Sequence, residues 1–274
     1  MWWVATWPGS WDCSWRCRWQ RRFASSSSTC KNASTRKLAL LSDIHSNLEA
    51  LEAVLRGLPP VDVVVVMGDV VGYGPDPNGV ISRLRAEGVR AVQGNHDRAV
   101  QDPKLLEWFN PHAAAALEWT RGVLSPESAA YLARLPVQRR VGPHRVVHGS
   151  PRKPYIWEYI LEFGQASEIL DRLGNRLCFF GHTHLPRIFT MQDEVIPELG
   201  PASPWYTLPQ PALVNPGSVG QPRDGVPDAA FAVVDLDGPA VQFHRVPYDV
   251  PTTQAKILAA GLPEIEAARL ALGM

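Results

Sequence analysis

Arg90-Ala91-Val92-Gln93-Gly94-Asn95-His96-Asp97 is a short apolar run that stops at a glycine, and three metal- and proton-competent side chains follow at once. Alone, Gly94-Asn95-His96-Asp97 reads equally well as a turn, because Gly, Asn and Asp favour turns. The plan recurs at four other places. Leu38–Leu41 runs into Asp43 and His45, Val63–Met67 into Gly68-Asp69, Val146-Val147 into His148, and Cys178–Phe180 into Gly181-His182-Thr183-His184. Five apolar runs that each end in ligand-type residues predict five strand ends converging on one site.

Leu38–Leu41 and Val61–Met67 are continuous apolar runs, as in strands buried on both faces. Between them Leu48, Leu51, Val54 and Leu55 recur at helical spacing until Gly57 and Pro59-Pro60. After the Gly- and Pro-rich loop 68–79, Val80, Ile81, Leu84 and Ala86 suggest a helix before the strand Arg90–Gln93. This β-α-β-α-β order predicts parallel strands, with ligands beyond their carboxyl ends. Asp43, Asp69 and Asn95 all fall there. Helices are expected from Asp102-Pro103 to Trp108, over Pro111–Gly122 and after Ser125-Pro126. Short strands follow at 137–141, 144–148, 176–180, 187–191, 212–214, 229–236 and 240–246, the last two joined by the hairpin signal Asp237-Gly238. Helices from Thr252 to Ala260 and from Pro263 to Leu272 close the chain. The order predicts an α/β protein: two packed sheets flanked by helices, in one domain over residues 38–274.

At 274 residues, 45% hydrophobic and 20% charged, the composition is that of a globular protein. The 27 basic and 27 acidic residues cancel, which argues against a polyanion-binding surface over the whole protein. No run approaches the roughly 20 apolar residues of a membrane span. Cys178 alone lies beyond the N-terminal region, in an apolar run, which reads as a buried thiol and fits a reducing cytoplasm. Residues 1–37 differ from the rest. They carry six of the ten tryptophans, a Ser25–Ser28 run and Asp12 as their one acid. Two readings fit: a stretch translated upstream of the true start, or a targeting segment. Either makes 1–37 an extension outside the folded domain.

Asp43, His45, Asp69, Asn95, His148, His182 and His184 offer oxygen and nitrogen donors and no thiolate. That set suits Mn²⁺, Fe²⁺, Co²⁺, Ni²⁺ or Zn²⁺, with Mn²⁺ the first expectation. Seven ligands exceed the needs of one tetrahedral ion, whereas two ions about 3.5–4 Å apart and sharing one carboxylate would use them all. In an extended segment His182 and His184 would share a face. With two divalent ions, two carboxylates and a bridging hydroxide, the site keeps a positive charge of about one, which attracts a phosphoester and supplies its nucleophile. His96 cannot easily serve the same ion as adjacent Asn95. It is therefore free to face the leaving group as general acid or hydrogen-bond donor. Gly94 is expected to let the chain turn sharply off its strand.

Asp43-x-His45, Gly68-Asp69, Gly94-Asn95-His96-Asp97, His148 and Gly181-His182-Thr183-His184, in that order, resemble the motif set of the calcineurin-like metallophosphoesterases over about residues 38–250. Ser42–Leu55 and Gly68–Pro77 look closest to the small single-domain bacterial and archaeal phosphodiesterases of that superfamily. The resemblance implies a four-layer α/β/β/α sandwich. It implies one ion held by Asp43, His45, Asp69 and His184, and a second by Asp69, Asn95, His148 and His182. It makes His96 the catalytic histidine, with Asp97 orienting the loop or His96 from behind. One departure matters. Where protein phosphatases and symmetrical dinucleotide tetraphosphatases carry Asp-Arg-Gly after Gly-Asp, this chain has Val70-Val71-Gly72, so their activity is not expected here.

Arg152 is placed to meet a phosphate and Tyr73 to stack on a base. Asn215–Ser218 reads either as a site mouth or as an ordinary turn. His112, His144 and His244 read as structural, and Trp157, Tyr159 and Phe163 as packing. The expected activity is metal-dependent hydrolysis of small phosphoesters, nucleotides among them. A DNA nuclease of the same superfamily and a non-catalytic scaffold are the alternatives. No membrane partner is expected, nucleic acid is disfavoured, and a homo-oligomer is left open.

Overall fold

The structure, a computed structural model, describes residues 37–274, so the readings of residues 1–36 lie outside the described residues. The described residues form one compact unit. The first sheet grows from β1 (Lys37–Leu41), β2 (Val63–Val66) and β3 (Arg90–Ala91), which run parallel as the β-α-β order requires. The second begins with the hairpin β4 (Gln138–Val141) and β5 (His144–Val147), and continues through β6 (Leu177–Phe179), β7 (Pro186–Thr190) and β8 (Glu194–Val195). β9 (Tyr206–Thr207) returns to the first sheet, β10 (Ala212–Pro216) enters the second between β6 and β7, and β11 (Ala229–Asp235) and β12 (Ala240–Val246) complete the first. The orders are β3-β2-β1-β11-β12-β9 and β4-β5-β6-β10-β7-β8. Both sheets are mixed.

Alternation within strands that are buried on both faces explains the layering. Leu38 and Leu40 of β1 join Val146, Phe179 and Val214 of the other sheet in one core between the sheets. Val147, Cys178 and Leu213 point the other way, onto α6 described below. Helix α1 (Leu48–Gly57) starts at Asn47, whose side chain accepts the Ala50 N–H at 3.0 Å, and packs on β11 and β12. Helices α2 (Pro77–Ala86), α3 (Asn95–Ala99), α4 (Pro111–Val123) and α5 (Pro126–Ala133) follow in the first half. Helix α6 (Phe163–Leu173) covers the second sheet with Ala166, Ile169, Leu170 and Leu173. Helices α7 (Val250–Ala259) and α8 (Glu264–Ala268) pack with Ala116 of α4. The result is the α/β/β/α sandwich of two mixed sheets expected from the sequence.

Several elements depart from that expectation. The strand expected over Arg90–Gln93 is two residues long, and α3 begins where a turn was read. α6 was not foreseen, and the two-residue strands β8 and β9 were missed. Residues 103–108 form a 3-10 helix, as does the final turn Arg269–Leu272.

Candidate functional site

The carboxyl ends of β1, β2 and β3 in one sheet and of β5 and β6 in the other meet at one place. Their loops are stitched together by backbone hydrogen bonds. The Asp43 N–H donates to Gly68 O at 3.1 Å and the His45 N–H to Asp69 O at 3.0 Å. Within the second sheet the Gly181 N–H donates to His148 O at 2.8 Å, and between the sheets the Gly220 N–H donates to Asp43 O at 3.0 Å. Asp43, His45, Asp69, His96, His148, His182 and His184 are all buried there, with Asn95 half-buried beside them. All the sequence-predicted ligands come together.

Five of them sit in the left-handed region: Asp43 (φ 53°), His45 (47°), Asp69 (50°), His182 (70°) and His184 (62°). Such backbone costs of order 1 kcal/mol or more per residue, and it clusters where side chains must be aimed. This corrects the extended reading of His182 and His184. Left-handed turns at both residues send His182 to His148 and Asp69, and His184 to Asp43 and His45.

Gly94 also differs from expectation. Its φ of −94° suits any residue, so no special turn is involved. A Cβ there would lie 2.0 Å from Asp69 Oδ1, so the glycine permits close approach. Gly181 does the same beside Ser42, where a Cβ would lie 1.8 Å from the hydroxyl. Asn95 and His96 are adjacent on α3, about 100° apart around its axis, so their side chains diverge. The Asp97 carboxylate accepts the Gly94 N–H at 2.9 Å, capping α3. It also accepts the N–H groups of Val70 (2.9 Å) and Val71 (3.1 Å), tying the loop after β2 to the start of α3.

The histidine tautomers follow from their partners. His45 Nδ1 faces Val71 O at 3.2 Å, His148 Nδ1 faces Met67 O at 2.6 Å, and His184 Nδ1 faces Gln221 O at 2.6 Å. A carbonyl oxygen only accepts, so each Nδ1 carries the proton. Burial holds His45, His182 and His184 well below the usual imidazole range, so they are neutral. The unprotonated Nε2 atoms of His45 and His184 therefore face each other at 3.2 Å. Asp43 Oδ1 lies 3.4 Å from His184 Nε2, buried and without a hydrogen-bond donor. Lone pairs gathered in this way repel one another unless a cation lies among them.

In the other half, burial works against charge on both partners, yet Asp69 raises His148 to about 9 and is itself held well below the carboxylate range, chiefly by His148. Their Nε2–Oδ2 distance is 3.2 Å, with Asn95 Oδ1 and His182 Nδ1 each 3.1 Å from the same Nε2. Burial pushes Asp43 up to about 6, with His148 opposing. Burial also lowers His96 to about 4 against the pull of Asp69, which leaves a neutral ring. Among the described residues, three groups have donor atoms mutually close enough for an ion: Asp43, His45 and His184; Asp69, His148 and His182; and His45, Asp69 and His96. A backbone-oriented imidazole, a bare carboxylate oxygen and the lack of a thiolate fit divalent metal.

His96 lies over this cluster. Its N–H donates to Asp69 Oδ1 at 3.0 Å, its Nε2 is 4.0 Å from Asp69 Oδ2, and its Nδ1 is buried without a partner. Phe109, His45 and Tyr73 wall the ring in. Tyr73 is 7% exposed, packed 4.6 Å from both His45 and His96, so its hydroxyl and not its ring face is free to act. Arg152 pairs with Glu168 and lies 3.8 Å from Glu158 at the surface.

Tyr159 gains a place that sequence reading did not give it, whereas Asn215, Ser218 and His144 take roles that it had offered. Tyr159 stacks on His182 at 3.9 Å and 19°, half-exposed. Asn215 donates to Gly181 O (2.8 Å) and Thr183 Oγ1 (3.0 Å), and Ser218 Oγ donates to Asp43 O (2.8 Å), so this segment braces the ligand loops. His144 accepts the Leu177 N–H, a structural role. The signal for Asn215 was its position at a strand end. Tyr159 offered none.

A buried, two-sided cluster of Asp and His at the strand ends of a four-layer sandwich fits the metal site of a hydrolase. The chain belongs to the calcineurin-like phosphoesterases: the profile of the calcineurin-like phosphoesterase superfamily domain matches residues 37–238. An uncharacterized protein of Methanocaldococcus jannaschii is 35% identical over 86% of this chain and 98% of its own. The phosphodiesterase YfcE of Escherichia coli is 28% identical over 73% of this chain and 88% of its own. The crystal structure of a metallophosphoesterase from Sphaerobacter thermophilus is 40% identical, with a TM-score of 0.78, and covers 88% of this chain and 100% of that one.

Proposed function

We propose that this phosphoesterase hydrolyses small phosphoesters, phosphodiesters first, at a dinuclear divalent-metal centre. Asp43, His45, Asp69 and His184 would hold one ion and Asp69, Asn95, His148 and His182 the other, with Asp69 shared and Mn²⁺ the preferred metal. The observation that carries the reading is the pair of neutral imidazoles, His45 and His184, whose Nε2 lone pairs meet at 3.2 Å beside the donor-less Asp43 Oδ1. When bound, two such ions supply Lewis acidity toward the phosphoryl oxygens and acidify water.

The chain's own residues do the rest. Val71, Met67 and Gln221 carbonyls fix three imidazoles with Nε2 inward. Asp97 holds the loop after β2 against α3. His96, neutral and fixed by its backbone bond to Asp69, donates a hydrogen bond to the oxygen that gains charge as the ester breaks. The missing Asp-Arg pair after Asp69, replaced by Val70-Val71, supports a diesterase over a protein phosphatase. The buried free thiol of Cys178 supports a reducing compartment, and none of the described helices is long and apolar enough to cross a membrane.

The test uses purified Mn²⁺-loaded protein with bis(p-nitrophenyl) phosphate. Metal-dependent release of nitrophenol is expected. Protein that binds metal but cleaves neither this diester nor a panel of nucleotides and simple monoesters would refute the reading.

A further inference from the structure

Arg223, beside the cluster, makes no ion pair with a carboxylate among the described residues, although its charge reaches Glu266. Asp224, beside it, is taken by Arg245. Glu266 is taken by Gln221 Nε2 at 2.9 Å and lies 3.6 Å from Arg269. The Arg223 guanidinium is half-buried. Its Nη2 donates to Gln221 Oε1 at 2.9 Å and to Tyr73 Oη at 3.5 Å. Its Nε is buried with no partner. Burying part of an arginine and leaving donors unused is unfavourable unless an anion arrives to take them.

Two contacts connect it to the reacting centre. Tyr73 lies under the guanidinium at 5.8 Å and packs on His96 and His45. Gln221 hydrogen-bonds Arg223 with its side chain and His184 Nδ1 with its carbonyl.

We infer that Arg223 is the substrate-binding residue that grips the phosphoryl group, with the Tyr73 hydroxyl as a second donor. The inference rests on the phosphoesterase reading for its substrate class. A guanidinium offers paired N–H donors to phosphoryl oxygens, which lysine cannot match. Gln221 and Tyr73 would set the plane of that fork.

The experiment compares wild type, Arg223→Gln and Arg223→Lys as full-length, Mn²⁺-loaded protein. It measures kcat and KM for bis(p-nitrophenyl) phosphate, the Kd of inorganic phosphate by calorimetry, metal content and Tm. Arg223→Gln should raise both KM and phosphate Kd roughly 10- to 100-fold at unchanged metal content. Arg223→Lys should recover part of the loss and not all of it. Unchanged KM and phosphate Kd in Arg223→Gln would overturn the inference, including the case in which only Tm falls and Arg223 merely packs on Tyr73. Wild type that binds phosphate through Arg223 but cleaves no ester would overturn the hydrolase reading and leave this site standing.

Discussion

His96 has its backbone N–H on Asp69 and its ring walled by Tyr73, Phe109 and His45, so rotation of the imidazole is closed off. Its truncation to alanine should lower kcat by about 10²–10⁴-fold, the usual range for a proton-handling or hydrogen-bonding side chain. Because Asp69 keeps its own contact with His148, metal content should stay at the wild-type value; elemental analysis beside steady-state kinetics checks both. Gly94→Ala belongs to the same scale. Its Cβ would meet Asp69 Oδ1 at 2.0 Å, so the shared carboxylate or α3 must shift. The expected outcome is a loss of about 1–3 kcal/mol in urea unfolding together with weakened metal binding. The seven candidate ligands were legible in sequence because Asp, Asn or His recurs after each apolar run. Arg223 was not: Pro222-Arg223-Asp224-Gly225 has the composition of a surface turn. Its role depends on Tyr73, 150 positions away, which no local pattern reports.

Short elements were the hardest to read. In α3, five residues of Asn-His-Asp-Arg-Ala carry no apolar period, and the cap is made by Asp97 reaching back to Gly94 from inside the helix. In α6 the period was present at Ala166, Ile169, Leu170 and Leu173, but Glu162 at its start makes no capping hydrogen bond with its side chain and the usual entry signal is missing. β8 and β9 are two-residue edge strands, fixed by their neighbours and not by their own sequence. The segment after β10 shows what such context does. Asn215 is buried and holds Gly181 O, Thr183 Oγ1 and the Gly217 N–H together. Asn215→Ala would leave the Gly217 N–H unpaired and take one of the bonds from each of Gly181 O and Thr183 Oγ1, which keep Thr183 N–H and Leu185 N–H, at a cost of about 1–3 kcal/mol. Thermal melts should show the loss, and Mn²⁺ affinity should fall because His182 and His184 flank the freed loop.

Across the whole molecule, the β-α-β-α-β opening and the later run of strands made the two-sheet architecture legible, since parallel order and crossover helices follow from local periods. The partnership of distant strands was not. β1 pairs Leu38 with Val234 of β11, and β10 slips between β6 and β7; both are set by packing between the sheets. The same packing makes the site a joint, with Asp43, His45, Asp69 and Asn95 from one sheet and His148, His182 and His184 from the other. Ions bound there would fasten the sheets together. Chelation should therefore lower Tm, and Mn²⁺ should restore it with a dependence worth about 2.7 kcal/mol at a hundredfold excess over Kd. The count of ions tests the centre most directly. Protein loaded with Mn²⁺, gel-filtered and analysed for metal should carry two ions per chain, and Asp69→Asn, which weakens the shared ligand, should carry fewer; a wild-type value of one or none would contradict the dinuclear account.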